Sequence, residues 1–284
     1  MAELRKRKEP VQPILRSDAI REWVGDRDPF DAVKAIGTEA VRAKEGRATR
    51  RFDINGEGYY AKLHLGVGWS EILSSLFRFR LPIIGASNEW NAINRFHEIG
   101  LDTLDAVAFA KRGPNPARQE SFVITRELHT TIKLAEFCRR WSQPERSLPL
   151  KRALIHKVAE IARRMHDDGI NHRDFYLCHF LLDVRPGVEN LDPGSLRVYL
   201  LDLHRAQMRR AVPERWRVKD IASVYFSAMD VSLTRRDVFR FIRVYTGLPL
   251  REALRTKAAF WKKVRRRARQ LYIRDWKRPP NELF

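Results

Sequence analysis

The sequence predicts an α+β protein, with a small antiparallel β-rich lobe first and a larger α-helical lobe after it. Short strand patterns fill the region from Glu39 to His64. Beyond residue 128 the apolar spacing becomes helical, and a single strand hairpin interrupts it. Strands grouped before the helices, rather than alternating with them, predict two segregated parts.

The first lobe begins with three strands joined by short turns. Residues 40–43 lead into a polar turn, and residues 49–54 alternate apolar and polar side chains. Asn55-Gly56 accepts the positive φ of a tight hairpin, so residues 59–64 return as the third strand. The three strands are therefore predicted to be antiparallel.

Helical patterns follow these strands. After a long connection, Ser87 is predicted to cap a helix that stops near Gly100, and residues 122–125 form another strand. Apolar residues recur every three or four positions from Leu150 to Met165. This spacing predicts a helix with one apolar face, ended by Gly169.

The second half contains one hairpin among its helices. Residues 180–182 and 198–201 flank a loop rich in proline and glycine, and the remainder is helical. The predicted organisation is a basic mobile arm over residues 1–20, a first lobe over 21–127 and a second lobe over 128–284.

Charge is the strongest compositional signal. The net charge is +20, which favours polyanionic partners: nucleic acid, anionic membrane, phosphorylated glycans or an acidic protein. No stretch approaches the roughly 20 apolar residues that span a bilayer, and no apolar segment follows the basic N-terminus to make a secretory signal. Cys138 and Cys178 are far apart, which predicts reduced cytosolic thiols and gives little support to a zinc site.

Two aspartates stand where phosphoryl transfer needs carboxylates. His172-Arg173-Asp174 follows the long helix, and Asp202 follows the second hairpin. One carboxylate must orient and deprotonate the acceptor hydroxyl, and another must hold the magnesium that neutralises the phosphates. This order is the layout of the bilobal protein-kinase-like fold and predicts ATP and Mg²⁺ as cofactors.

Upstream residues fit the same layout. Lys62 closes the third strand and Glu89 opens the next helix as its partner, while Glu127 lies where backbone groups would bind adenine. Arg47 or Arg50 would contact phosphate, because the turn before them holds a single glycine. Each residue alone has a structural explanation. The prediction depends on their order and on the element that carries each one.

The run from His172 to Leu182 is more specific. It reads His172-Arg173-Asp174-Phe175-Tyr176-Leu177-Cys178-His179-Phe180-Leu181-Leu182. This run resembles the signature of the lipopolysaccharide core heptose(I) kinases, and the similarity extends from about Glu39 to the C-terminal region.

The resemblance implies a role for each motif residue. Asp174 would be the catalytic base, in a loop shared with His172 and Arg173, and Asp202 the magnesium ligand. Lys62 would bind the phosphates of ATP, with Glu89 as its partner. The acceptor would be a hydroxyl of the first heptose of the inner core, at the cytoplasmic face of the inner membrane.

Three departures from the protein-kinase pattern leave alternatives open. His179 replaces the usual asparagine, so it is predicted either to bind a metal or to hydrogen-bond the base. No Ala-Pro-Glu motif follows Asp202, and there is hardly any room for an activation segment. This argues against a protein acceptor and leaves Arg173 a structural pairing role. The degenerate glycine turn is the best argument for an inactive, pseudokinase-type protein.

The basic C-terminal segment also has two interpretations. From Leu250 to Tyr272, apolar residues at helical spacing alternate with many arginines and lysines. An amphipathic cationic helix can lie on an anionic membrane, or its apolar stripe can face the core of the second lobe. A small acidic carrier protein is a further possible partner.

Rival functions remain at this stage. Kdo, a second heptose or protein tyrosine are alternative acceptors for a kinase-fold enzyme. A basic nucleic-acid-binding protein is supported only by charge, and no nucleic acid is expected because the sequence has no zinc-finger spacing and no RNA-recognition motif. Peripheral attachment to the cytoplasmic face of the inner membrane is the predicted location.

Overall fold

The structure is a computed structural model that describes residues 13–37, 40–44, 46–77, 84–139 and 148–280. By their contacts these residues form two compact units. Those up to Asn94 and from Leu104 to Glu127 form the first unit, and all others form the second. The segment from Arg95 to Thr103, assigned to the first lobe from sequence, therefore belongs to the second unit.

The first unit is built mainly of strands. Its elements, in chain order, are β1 (Ile14–Leu15), α1 (Asp18–Val24), α2 (Pro29–Lys34), β2 (Ala40–Lys44), β3 (Arg47–Ile54), β4 (Glu57–His64), α3 (Gly68–Phe77), α4 (Ser87–Glu98), β5 (Ala106–Arg112) and β6 (Glu120–Arg126). The strands form one sheet in the order β1-β5-β6-β4-β3-β2, and all neighbours are antiparallel. The three antiparallel strands predicted from sequence are confirmed as β2, β3 and β4.

Two predictions for this unit are wrong. Ile14–Leu15 pairs with β5 and a helix begins at Asp18, so residues 13–20 are folded rather than part of a mobile arm. The rest of that predicted arm, residues 1–12, lies outside the described residues. The connection after β4 contains a helix, Gly68–Phe77, that its aromatic composition did not signal.

Strand alternation decides which side of this sheet is the core. Tyr59, Ala61 and Leu63 on β4 are buried against α1 and α2, together with Phe52 of β3. Because successive side chains on a strand point to opposite faces, Lys62 lies on the other face.

The second unit is mainly helical. Its elements, in chain order, are β7 (Thr131–Lys133), α5 (Leu134–Arg139), α6 (Leu148–Asp167), β8 (Ile170–Asn171), β9 (Phe180–Asp183), β10 (Val198–Leu200), β11 (Gln207–Met208), α7 (Glu214–Ser227), α8 (Arg235–Thr246), α9 (Leu250–Thr256) and α10 (Ala258–Trp276). The predicted hairpin is confirmed as β9 and β10, to which β7 adds a third strand. A β-rich unit and a helical unit confirm the α+β class.

The apolar stripe of the C-terminal helix lies in the core of the second unit. The stripe of α10 is buried and consists of Phe260, Trp261, Val264, Ala268, Leu271 and Tyr272, and α10 packs on α7. The membrane interpretation of this stripe is therefore wrong, because neighbouring helices already cover it. The basic residues that lie between the stripe residues in the sequence, such as Lys262 and Arg266, remain exposed. Within the described ranges, no helix has the length and apolar character that crossing a bilayer requires.

Candidate active site

Lys62 and Glu89 form an ion pair in the first unit, as the sequence predicted. Lys62 Nζ lies 2.5 Å from Glu89 Oε1, and the Glu89 side chain is only 1% exposed. Glu89 lies in the first turn of α4, where the helix dipole favours a carboxylate. A carboxylate buried to this degree is costly unless it is paired, so the pair fixes the Lys62 ammonium group beside α4.

The sheet register separates the two arginines that were predicted to contact phosphate. Pairing of β3 with β4 puts Arg47 on the same sheet face as Lys62. Arg50 lies on the opposite face, where its guanidinium donates to the carbonyl oxygens of Lys34 and Ile36 at 2.8 Å. The prediction for Arg50 is therefore wrong, and Arg47 remains the candidate on the Lys62 face.

Glu127 is held inside the first unit. Its carboxylate accepts hydrogen bonds from Arg51 Nη2 at 2.8 Å and from the Tyr60 hydroxyl at 3.1 Å. Its backbone N–H donates to the Gly58 carbonyl at 2.9 Å. A Cβ at Gly58 would lie 2.0 Å from Glu127 Oε2, so a larger residue there would displace the Glu127 carboxylate from its present position. The Glu127 N–H is thus occupied, and an N–H donor for adenine would have to come from a later residue.

The loop after β8 is held by a buried carboxylate from α7. Asp220, which is fully buried, accepts the backbone N–H of His172 at 2.7 Å and that of Arg173 at 2.8 Å. Arg173 adopts a φ of 76°, a conformation that a non-glycine residue takes only when its surroundings compel it. The two hydrogen bonds that these N–H groups donate to Asp220 supply that constraint.

His172 orients the loop from within. It is fully buried. Nε2 lies 2.8 Å from the Leu201 carbonyl oxygen, and Nδ1 accepts the Asp174 N–H at 3.3 Å. Burial lowers the pKa of His172, which favours the neutral ring that this pairing needs. Among the residues predicted to be catalytic, His172 is therefore placed to position Asp174 and not to touch a substrate.

Asp174 presents its carboxylate at the end of this loop. The side chain is 17% exposed, and both oxygens accept from Arg205 Nη1, at 2.8 and 3.0 Å. Its carbonyl oxygen lies 2.6 Å from His179 Nδ1. A partly exposed, ion-paired carboxylate at a fixed position can accept a proton from a bound hydroxyl.

His179 lies between the two predicted aspartates. Its Nε2 is 3.7 Å from Asp202 Oδ2, on the opposite side of the ring from the Asp174 carbonyl contact. Burial opposes protonation, but contacts with Cys178, the Asp174 carbonyl and Asp202 outweigh it and raise the pKa of His179 to about 9. Asp202 itself has a φ of 65°, a second strained residue in this region. The sequence prediction that a hairpin brings the two aspartate segments together fits this geometry.

The carboxylate of Asp202 fits a magnesium ion, which prefers oxygen ligands. Because its pKa is raised to about 9, His179 carries a proton on Nε2 facing Asp202 near neutral pH, and it must lose that proton before Nε2 can bind a metal. No group of three or more potential ligands occurs among the described residues. Mg²⁺ is usually held by one or two carboxylates and completes its shell with phosphate oxygens and water.

Two residues of this region were not identified from sequence. Arg205 holds the carboxylate of Asp174, and Asp220 holds the loop that carries it. A carboxylate flanked by the apolar residues Val218, Ile221 and Ala222 was an available signal, because a buried charge in a helix needs specific partners. The partners themselves are 47 and 48 positions away along the chain and could not be read from spacing.

Comparison with known proteins gives consistent matches. A model of the lipopolysaccharide kinase (Kdo/WaaP) family matches residues 31–245. The lipopolysaccharide core heptose(I) kinase WaaP of Pseudomonas aeruginosa is 47% identical over 261 residues, which cover 92% of this chain and 96% of that protein. WaaP of Escherichia coli K12 is 44% identical over 232 residues, 82% of this chain and 86% of that protein.

One solved structure is similar over nearly the whole chain. It is described as WaaP in complex with acyl carrier protein. The match has a TM-score of 0.79 and 42% sequence identity, and it covers 92% of this chain and 99% of that one.

Proposed function

The chain belongs to the lipopolysaccharide kinase (Kdo/WaaP) family, and on that premise we propose that it transfers the γ-phosphate of ATP to the first heptose of the lipopolysaccharide inner core. The family resemblance and the protein-kinase-like fold predicted from sequence are confirmed. The observation that carries the proposal is the carboxylate of Asp174, which Arg205 holds in place, in a loop whose backbone carbonyl contacts His179 next to Asp202.

Each residue has a defined part in the proposed reaction. The heptose hydroxyl oxygen forms a bond to the γ-phosphorus, the bond to the β,γ-bridging oxygen breaks, and ADP leaves. Asp174 takes the hydroxyl proton. Lys62, held by Glu89, neutralises nucleotide phosphates. Asp202 and His179 would hold magnesium, which supplies further charge neutralisation at the phosphates.

A direct assay tests this proposal. Purified protein is incubated with Mg²⁺, γ-labelled ATP and core lipopolysaccharide from which phosphate has been removed. We expect label in the glycan that depends on Mg²⁺ and grows with time. No incorporation by a folded, ATP-binding protein would refute the proposal and favour the pseudokinase alternative.

The segment after Asp202 favours a glycan over a protein acceptor. Between Asp202 and Glu214 the chain makes a short turn and the strand β11, which pairs with β8. A segment of this size offers little surface on which to dock a peptide. Phosphorylation assays with Kdo, the second heptose and tyrosine peptides as acceptors distinguish these alternatives from the first heptose.

Replacing Lys62 by methionine should weaken use of ATP. The variant keeps the length of the side chain but removes the charge and leaves the buried Glu89 carboxylate unpaired. We expect kcat/KM for ATP to fall by about 10²-fold, the usual effect of losing one preorganised donor to developing charge. Lys111→Met, on an exposed position of β5, is the matched control. Unchanged kcat/KM in Lys62→Met would exclude Lys62 from the nucleotide site.

Helix α3 carries an exposed apolar stripe that suits a membrane surface. This stripe consists of Trp69 (55% exposed), Leu73 (48%) and Phe77 (82%), and we call it the α3 stripe. These positions are four residues apart and share one helix face. Arg78 and Arg80 come within three residues of Phe77 in the sequence, and arginines close to an apolar segment favour an anionic surface. We therefore propose that the α3 stripe enters the interface of an anionic bilayer, at the cytoplasmic face of the inner membrane.

Vesicle binding tests the α3 stripe. Leu73→Ser with Phe77→Ser should lower the fraction bound to phosphatidylglycerol vesicles by about tenfold or more, because burial of large apolar side chains provides roughly 1.5–3 kcal/mol each. Leu148→Ser, which alters another exposed apolar residue (64%), should leave binding unchanged. Equal binding by both variants would show that the α3 stripe is not the contact.

A small acidic carrier protein is the proposed protein partner. The solved relative was determined with acyl carrier protein, and the exposed basic face of α10 has the complementary charge. An apolar cavity in the second unit, lined by residues such as Leu154, Ile221 and Val264, suits an acyl chain.

Native mass spectrometry of protein purified from cells should find the carrier bound. Lys262→Glu with Arg266→Glu should release it, whereas Arg251→Glu should not.

A further inference from the structure

Four cationic side chains surround the indole ring of Trp216 at the start of α7. Their charged groups lie 5.3 Å (Arg173 and Arg215), 5.7 Å (Lys219) and 5.9 Å (Arg209) from the ring centroid. We call these five residues the Trp216 cluster. One aromatic ring attracts a cation, but several cations at one ring repel each other, so the ring alone does not account for the arrangement.

The nearby carboxylates already have other partners. Asp174 accepts from Arg205, and Asp220 accepts two backbone N–H groups. Arg209 donates to two neutral amide oxygens, at 2.8 and 2.7 Å. In the part of the chain that the structure describes, no carboxylate lies within ion-pairing distance of Arg209, Arg215 or Lys219. The cluster therefore carries an excess of positive charge.

Part of this charge is removed from water. Lys219 is half-buried. Burial lowers its pKa to about 8; the neighbouring Asp174 opposes this shift, whereas Arg173 and Arg205 add to it. The Trp216 Nε1–H is buried and has no acceptor among the described residues. Partly desolvated cations are stabilised when an anion binds to them.

The cluster lies beside the proposed base. Arg173 immediately precedes Asp174 in the chain, and Lys219 immediately precedes Asp220, whose carboxylate accepts the N–H groups of His172 and Arg173. A group bound at the cluster would therefore belong to the acceptor, the molecule whose hydroxyl group gives its proton to Asp174. In the proposed reaction the nucleotide phosphates are assigned to Lys62 and to the magnesium that Asp202 would hold.

We propose that the Trp216 cluster binds an anionic group, a carboxylate or a phosphate, on a sugar that adjoins the acceptor hydroxyl. This inference rests on the proposed function and adds to it a specificity determinant. Recognition of a neighbouring acid group would select the inner core among glycans that contain similar hydroxyls.

Kinetics with charge-neutralised variants test the cluster. Arg215→Gln combined with Lys219→Gln should raise KM for the glycan by about tenfold or more, because the variant loses charge-assisted hydrogen bonds to the anion. KM for ATP should not change. Arg251→Gln, at an exposed position of α9, is the control that removes charge elsewhere. Circular dichroism and the thermal midpoint check that each variant is folded.

Modified glycans identify the source of the anion. If the cluster binds a carboxylate, reducing the acid sugar to its alcohol should weaken wild-type binding as much as the double substitution does, with no further loss in the variant. If it binds a phosphate, selective dephosphorylation should have that effect. Binding measured without ATP keeps this test separate from phosphoryl transfer. An unchanged glycan affinity in the variant, or a change in KM for ATP alone, would overturn the inference while leaving the proposed function intact.

Discussion

Asp174→Asn is expected to lower kcat by about 10³-fold, within the roughly 10²–10⁴-fold contribution of a positioned general base. Asparagine has nearly the same shape and still offers an oxygen to Arg205, which lies 2.8 Å from the native carboxylate. It cannot take the hydroxyl proton. The loss should therefore appear in kcat, with little change in KM for ATP, and steady-state kinetics with both substrates measure it.

A matched substitution separates chemistry from folding. Asp192→Asn alters an exposed loop aspartate of the same unit and should leave kcat unchanged. Both variants should keep the wild-type thermal midpoint. Full activity in Asp174→Asn would remove Asp174 from the role of base.

Asp220→Ala is expected to cause the largest loss of stability. The substitution leaves the N–H groups of His172 and Arg173 buried without their acceptor. Each orphaned donor costs about 1–3 kcal/mol, so the free energy of unfolding should fall by about 2–6 kcal/mol. Urea denaturation followed by circular dichroism measures this change. Activity should also fall in the folded fraction, because Arg173 loses the contact that maintains its positive φ.

Exposed carboxylates of the same unit provide the comparison. Asp167→Ala removes a side chain that is 57% exposed and pairs with Arg163 at 3.5 Å, a surface contact worth at most about 1 kcal/mol. If Asp220→Ala were no more destabilising than Asp167→Ala, the loop would be held by contacts other than those of Asp220.

Local sequence signals predicted the elements that depend on near neighbours. The Asn55-Gly56 turn specified the β3–β4 hairpin, and its two residues have the positive φ values expected, 53° and 84°. Lys62 and Glu89 were placed on a strand and at a helix start, and their ion pair is present. These predictions succeeded because turn chemistry, strand alternation and helix starts are encoded within a few residues.

Features that depend on distant parts of the chain were not predictable. The sequence pattern of α10 fits an apolar stripe that faces lipid as well as one that faces protein. The packing of α10 on α7 shows that the stripe faces protein. Arg50 and Arg47 are equivalent by composition, but the strand register puts them on opposite sheet faces. Asp220 and Arg205 acquire their roles through partners that folding brings to them.

The position of the new phosphate tests the central claim most directly. Core lipopolysaccharide without phosphate is treated with the protein and Mg-ATP, and the product is analysed by tandem mass spectrometry and phosphorus–proton correlation NMR. A single phosphate on the first heptose, absent with Asp174→Asn, is the predicted result. Phosphate on another sugar, or equal incorporation by Asp174→Asn, would contradict it.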